Sequence, residues 1–357
     1  MRRSFHVWPA IPSLLVICMS AASAADTPVY RDKLNVMVYR DADGREHPVT
    51  TLDQWQIRRA HILGEMQMVM GPLPDDSRRV DLDPQVTEEV QGEKWVRRKL
   101  TYVPEPGDRV PAYLFVPKGL TGKAPAVLCL HQTTSIGKGE PAGIGGLENL
   151  HYARELAESG FVTLAPDYPN FGDYTFDPYA HDYVSATMKG IWNHRRALDL
   201  LQSLPEVDPV RLGCIGHSLG GHNTLYLAAF DERVRVAVTS CGFNSFFKYM
   251  GGDLTGWSHR GYMPRIADLY HCNPAEIPFD FTEVLAAIAP RAVYINAPVG
   301  DDNFEVSGVK DCIFAAGPVY GLYDAADELV AEHPNCAHDF PPDTRQRAYA
   351  FIAEALR

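Results

Sequence analysis

Gly216-His217-Ser218-Leu219-Gly220 sets a serine between two glycines, directly after the apolar run 210–215 and before a helical pattern carrying Leu225, Leu227, Ala228 and Ala229. A serine at the tip of a strand–turn–helix junction is lifted clear of the sheet, and glycines two positions to either side let strand and helix pass without Cβ clashes. Such a nucleophile elbow does chemistry only if a base takes the hydroxyl proton and a carboxylate steadies that base. Candidates for both follow in the required order. Asp301 and Asp302 lie just past the apolar strand 292–295, and Phe304, three residues beyond Asp301, is apolar as expected where the loop turns back into the core. That offset favours Asp301 over Asp302. His338 comes last, on a loop between a final strand at 329–331 and a closing helix at 343–356, and is the candidate base; His333 sits nearer the strand end and reads as structural.

Acyl transfer through Ser218 places negative charge on the former carbonyl oxygen, which fixed amide dipoles stabilise better than mobile water. One donor is the amide of Leu219, the residue after the nucleophile, and the other is that of Gln132 or Thr133, in the turn after the strand 126–130. His131 in the same turn reads as a brace acting through its ring and as a candidate substrate contact. The loop 167–174 is expected to line one wall of the cleft, with Tyr168 touching substrate. The insertion 242–280 is rich in aromatic residues, among them Phe243, Phe246, Phe247, Tyr249, Trp257, Tyr262 and Tyr270. These suit either stacking on sugar rings, with Trp257 and Tyr262 as contacts, or the core of a small cap.

The elements that must hold these residues are legible in the periodicity. Leu52, Trp55, Ile62, Leu63, Met66 and Val69 recur at helical spacing over 51–70 before Gly71-Pro72. Runs at 95–103 and 110–117, joined by Pro104-Glu105-Pro106-Gly107-Asp108, read as an antiparallel hairpin. Short β-rich runs at 126–130, 161–165, 210–215, 234–238 and 292–295 then alternate with helical segments at 147–159, 183–204, 218–230 and 282–289. Alternation of this kind predicts an α/β fold with a doubly wound parallel sheet covered on both faces. The expected organisation is a leader at 25–94 packed on a main domain at 95–357, with the cap insertion at 242–280.

The motifs Gly216-His217-Ser218-Leu219-Gly220-Gly221, Ala289-Pro290-Arg291, Asp301-Asp302-Asn303-Phe304 and Ala337-His338-Asp339-Phe340 together resemble the dienelactone hydrolase-like and acetyl xylan esterase-like branch of the α/β-hydrolases, over roughly residues 95–357. The resemblance implies an α/β-hydrolase fold, Ser218, Asp301 and His338 as a triad, and a secreted bacterial enzyme acting on carboxylic esters. Dienelactone hydrolases proper carry cysteine at the elbow; the serine here leans towards acyl or sugar esters.

Composition narrows the partners. The 357 residues carry a formal charge of −12, made more negative by loss of Arg2 and Arg3, which argues against nucleic acid and anionic membrane surfaces. A small-molecule or oligosaccharide ester suits it better. Arg2-Arg3, the apolar run 11–19 and Ala22-Ser23-Ala24 read as a cleavable secretory signal at 1–24, too short and too broken by Pro9 and Pro12 to span a bilayer. A periplasmic or secreted protein without stable membrane insertion is expected. Of the six cysteines left after cleavage, Cys129, Cys214 and Cys241 lie in buried-type strands, whereas Cys272, Cys312 and Cys336 could include a disulfide. Among thirteen histidines, His217 and His222 are spaced off a common helical face, and neither a zinc pattern nor a phosphate loop occurs, so no metal or cofactor is expected. The expectation is a serine esterase removing acyl, especially acetyl, groups from carbohydrates. The alternatives are a prolyl oligopeptidase-type peptidase, although the leader is far too short for a propeller, and a non-catalytic binding protein that keeps the fold.

Overall fold

The computed structural model describes residues 27–357, so the expected signal segment 1–24 lies outside the described residues. In chain order the strands and helices are β1 Val38–Arg40, β2 Glu46–Pro48, α1 Leu52–Met70, β3 Gln85–Gln91, β4 Trp95–Tyr102, β5 Val110–Pro117, β6 Ala124–Leu130, α2 Tyr152–Glu158, β7 Val162–Pro166, α3 Ala186–Ser203, β8 Val207–His217, α4 Leu219–Phe230, β9 Val234–Ser240, α5 Arg265–Asp268, α6 Phe281–Ile288, β10 Ala292–Asn296, α7 Val306–Leu322, β11 Leu329–Glu332 and α8 Pro342–Ala355. Strands β1 and β2 pair as a separate antiparallel ribbon, and the other nine form one sheet in the order β11-β10-β9-β8-β6-β7-β5-β4-β3.

The sheet is antiparallel from β3 to β7 and parallel from β7 to β11. Central strands are apolar on both faces because both are covered, and alternate residues choose the face. Val127 and Cys129 of β6 pack with α2 and α8 through Leu156, Tyr349 and Ile352. Ala126, Leu128 and Leu130 point into the larger core, which also holds Trp55, Ile191, Leu227 and Leu285 from the helices of the other side. This is the α/β-hydrolase plan.

Three features depart from the sequence reading. Strand β3 extends the sheet to residue 85, ten residues before the expected domain start at 95. Helix α7 was not foreseen; Gly308, Gly317, Pro318 and Gly321 lie within it and mask its helical pattern. All six cysteines among the described residues are free thiols, so the disulfide that Cys272, Cys312 and Cys336 could have included is not formed, and Cys312 is buried within α7.

The N-terminal segment is tied to α6 by buried charge. Arg58 and Glu65, both fully buried on α1, pair at 3.0 Å, Arg58 also pairs with Glu283 of α6, and Lys33 reaches Glu283 at 3.2 Å. Helix α1 starts at a capping box in which Thr51 and Gln54 satisfy each other's backbone amides.

Strand order places the chemistry. The chain runs from β6 outwards to β7, then crosses back through α3 to β8 on the other side of β6, so β6 and β8 are neighbours whose connections leave in opposite directions. The crevice at the carboxyl ends of such a pair is where open α/β sheets hold ligands. With Leu130 opposite Gly216, the loop after β6 and the turn after β8 must meet there.

Candidate active site

The turn after β8 is strained in the way its motif requires. Ser218 sits at φ 51°, ψ −116°, a conformation that costs a non-glycine residue on the order of 1–3 kcal/mol. The neighbouring backbone holds it there: the Ser218 amide donates to Ser240 O at 2.8 Å, and its carbonyl accepts from Gly221 at 2.8 Å and His222 at 3.2 Å. A Cβ at Gly220 would lie 2.0 Å from the Leu130 carbonyl oxygen, and one at Gly216 would lie 2.2 Å from Gly220 O. The two glycines are therefore the condition for bringing the elbow against the end of β6.

Across that contact lie three amides, of Gln132, Thr133 and Leu219, none of which donates to a protein acceptor among the described residues. Leu219 opens α4, where the first N–H groups have no partner within the helix. His131 fixes the opposite side. Its Nδ1–H donates to Gln132 O at 2.6 Å and its Nε2 accepts from the Tyr168 amide at 2.9 Å, which defines the tautomer. Burial pushes its pKa down, against the pull of Asp167, so the ring is a neutral brace. With both nitrogens engaged and only 2% of its surface exposed, His131 does not reach substrate as the sequence reading allowed.

A second brace lies beneath the same loop. Lys138 and Asp167 form a buried ion pair at 2.6 Å, and the Asp167 carboxylate also accepts the amides of Lys138 at 2.7 Å and Asp173 at 2.9 Å. The loop 167–174 is thus fastened to the loop after β6. Tyr168, 2% exposed, packs beside Leu219 and donates its hydroxyl to Gly261 O at 3.0 Å; it supports the cleft from below and is not a substrate contact.

On the other side of the elbow, both oxygens of Asp301 lie 2.9 Å from His338 Nδ1. Oδ1 also accepts the amides of Asn303 at 2.9 Å and Phe304 at 3.0 Å, while Asp302 is exposed and makes no side-chain hydrogen bond among the described residues. Burial pushes the pKa of the Asp301 carboxyl up, but the hydrogen bond and charge of His338 and the two amides outweigh it and hold the pKa below the ordinary value. His333 is occupied elsewhere, its Nδ1 bonded to Ala297 O at 2.9 Å. The His338 ring packs edge-on to that of His217, the residue before Ser218, at 4.8 Å between centroids, and its side chain is 23% exposed. Neither the Ser218 hydroxyl nor His338 Nε2 has a hydrogen-bond partner among the described residues.

A buried hub that the sequence did not signal joins the three strand ends. Ser240 Oγ meets His217 Nδ1 at 2.9 Å and Asn296 Nδ2 at 2.8 Å, and Asn296 Nδ2 reaches the Asp339 carbonyl at 2.9 Å, next to His338. Cys241, immediately after β9, also lies here. Its ligand atom and those of Asp301 and His338 all fall within 4.8 Å of one another, a grouping able to hold a metal ion.

The aromatic insertion turns out to be a packed cap. Trp257, 3% exposed, touches Phe246, Phe281 and Phe304, so of the two expectations for these aromatics, sugar stacking or cap core, it fits the cap core. Tyr262 remains partly open at the cleft, its hydroxyl 3.3 Å from Thr133 Oγ1.

Comparison with known proteins bears on the fold. A family model described as the alpha/beta hydrolase fold matches residues 125–260. YtaP of Bacillus subtilis (strain 168) is 28% identical over 263 residues, covering 70% of this chain and 84% of that protein. Among solved structures, a glucuronoyl esterase from Solibacter usitatus superposes with a TM-score of 0.71 at 20% identity, over 93% of this chain and 100% of that one. Acetyl xylan esterase 1 from Thermoanaerobacterium sp. JW/SL YS485 gives 0.56 at 20% identity, over 83% and 99%.

Proposed function

We propose that this chain, an α/β-hydrolase by fold, is an exported serine esterase that removes acyl groups, acetyl above all, from carbohydrate or related small esters. The observation that carries the reading is the Asp301–His338 pair, 2.9 Å apart at both carboxylate oxygens, beside a serine held at a positive φ. In this reading His338 Nε2 takes the Ser218 proton as the hydroxyl attacks the ester carbon, then gives it to the leaving alcohol; water enters by the same route to free the acid. Asp301 holds Nδ1–H and offsets the positive charge that forms on the ring. Leu219 supplies one amide to the oxyanion. Thr133 supplies the other: because His131 holds the Gln132 carbonyl, the trans peptide turns the Thr133 N–H the opposite way.

A second reading keeps the machinery and reverses the ester, with the acyl part a sugar carboxylate. It is favoured by the likeness to a glucuronoyl esterase along nearly the whole chain. A fluorophosphonate probe tests the chemistry: labelling in the wild type and none in Ser218→Ala supports the nucleophile, and labelling that survives the substitution overturns it. A panel of 4-nitrophenyl acetate, acetylated xylan, a methyl glucuronate ester and an aminoacyl anilide then separates the substrates. Acetate released from the xylan supports the first reading, free uronic acid the second, and turnover of the anilide alone would mark a peptidase.

A further inference from the structure

We propose that Cys241, Asp301 and His338 form a binding site for a zinc-type divalent cation, and that its occupation switches the hydrolase off. The three side chains stand on three loops, after β9, β10 and β11, and offer sulfur, oxygen and nitrogen within 4.8 Å of one another. That is the donor set zinc prefers, and thiolate plus carboxylate balance a doubly charged ion. His338 Nδ1 is already 2.9 Å from the carboxylate. Zinc bonds of about 2.0–2.3 Å place tetrahedral ligand atoms roughly 3.3–3.7 Å apart, so closure needs the thiol to swing in by about 1 Å.

Two features of Cys241 point the same way. Its backbone lies at φ 48°, where a side chain other than that of glycine or asparagine is strained, so packing alone is a poor reason for a cysteine there. Its sulfur donates a weak hydrogen bond to Asp339 O at 3.4 Å, lies 3.9 Å from Ser240 Oγ and Asn296 Nδ2, and already interacts with the Asp301 carboxylate. The surroundings suit a ligand set: the Asn303 and Phe304 amides already orient the carboxylate, and the partly exposed His338 gives entry from the cleft.

The consequence for catalysis rests on the reading of His338 as base. A metal ion on Nδ1 takes the place of the proton shared with Asp301. The ring proton moves through solvent to Nε2, the thiol proton is released, and Nε2 no longer has a lone pair for Ser218.

Cobalt(II) reads the site without reference to activity. Chelator-treated protein is titrated with Co2+, then with Zn2+, while near-ultraviolet absorption from thiolate-to-cobalt charge transfer and the bound stoichiometry are followed. One equivalent with the thiolate band, displaced by Zn2+, is expected of the wild type and of Cys336→Ala; Cys241→Ala should lack the band. Zn2+ should halve turnover of 4-nitrophenyl acetate by the wild type, and Cys241→Ala should need at least about 10-fold more of it. Should Cys241→Ala not fold, Cys241→Asn suits the left-handed backbone and serves instead. A band absent from the wild type or retained without Cys241, or an unchanged Zn2+ requirement, overturns the proposal. A cobalt band in a protein that turns over no ester would leave the metal site standing and remove the hydrolase reading.

Discussion

Asp301 and Asp302 are adjacent and chemically identical, and the fold gives them opposite fates. Asp301 is 6% exposed, accepts two amides and faces His338 Nδ1, whereas Asp302 lies in solvent. Asp301→Asn keeps the size but presents an amide where the ring needs an acceptor, and it removes the charge that offsets the imidazolium. The expected loss in kcat is roughly 10^3- to 10^4-fold, with a much smaller change in KM. Asp302→Asn should stay within about 2-fold of the wild type, since it removes only a screened surface charge. Steady-state kinetics on 4-nitrophenyl acetate decide, and equal losses in both variants would refute the assignment. Because the carboxyl of Asp301 sits below its ordinary pKa, its stabilising contribution is present above the unfolded value and is lost only as the pH falls through the lower folded one. The apolar offset at Phe304 favours the residue that faces His338 in the fold. The fate of Cys241 was not readable in the sequence, because nothing in a strand-end cysteine says which loops will close over it.

Elements explain why the loop after β6 needs so many supports. The turn after β6 has no regular backbone pairing to hold it, so the His131 ring and the Lys138–Asp167 pair do that work from beneath. His131→Ala frees the Gln132 carbonyl and with it the orientation of the Thr133 amide. Loss of one oxyanion donor costs about 10^2- to 10^3-fold in kcat, and a loosened donor should cost a part of that, roughly 10- to 100-fold. The signature of positioning is a fall in kcat with KM nearly unchanged and fluorophosphonate labelling slowed but still confined to Ser218; a rise in KM at constant kcat would mean a substrate contact instead. Elements also set what the sequence could reveal. The central strands announce themselves because burial on both faces demands unbroken apolar runs, and the order β6, β8, β10, β11 then fixes where the loops gather. Strand β3, Gln85–Gln91, is polar and almost wholly exposed, so its apolar pattern is absent and only pairing with β4 makes it a strand. In α7 the glycines and Pro318 hide a helix that tertiary packing sustains.

At the scale of the molecule, the N-terminal segment joins the rest through charges that helical periodicity cannot show. The spacing of Trp55, Ile62, Met66 and Val69 identifies the inner face of α1, but Arg58 and Glu65 lie on that face too and are fully buried. They are tolerated because Glu283 and Lys33 complete a group of two basic and two carboxyl side chains, with the Arg58 guanidinium 3.6 Å from the centre of the Tyr30 ring. Glu283 also accepts the Asp280 amide at 2.9 Å in the capping box that starts α6. Glu283→Ala leaves two buried cations facing one carboxylate and uncaps the helix. Stranding a buried charge in this way costs about 3–5 kcal/mol, a large share of the 5–15 kcal/mol that typically holds a folded chain. By contrast, Arg347→Ala breaks a pair with Glu332 whose arginine is 55% exposed and screened by solvent, and should change stability little. Urea unfolding compares the two: the midpoint should fall several times further for Glu283→Ala at a similar slope. Equal midpoints would mean that apolar packing of α1 on α6, and not this charge group, fastens the N-terminal segment to the sheet that carries Ser218.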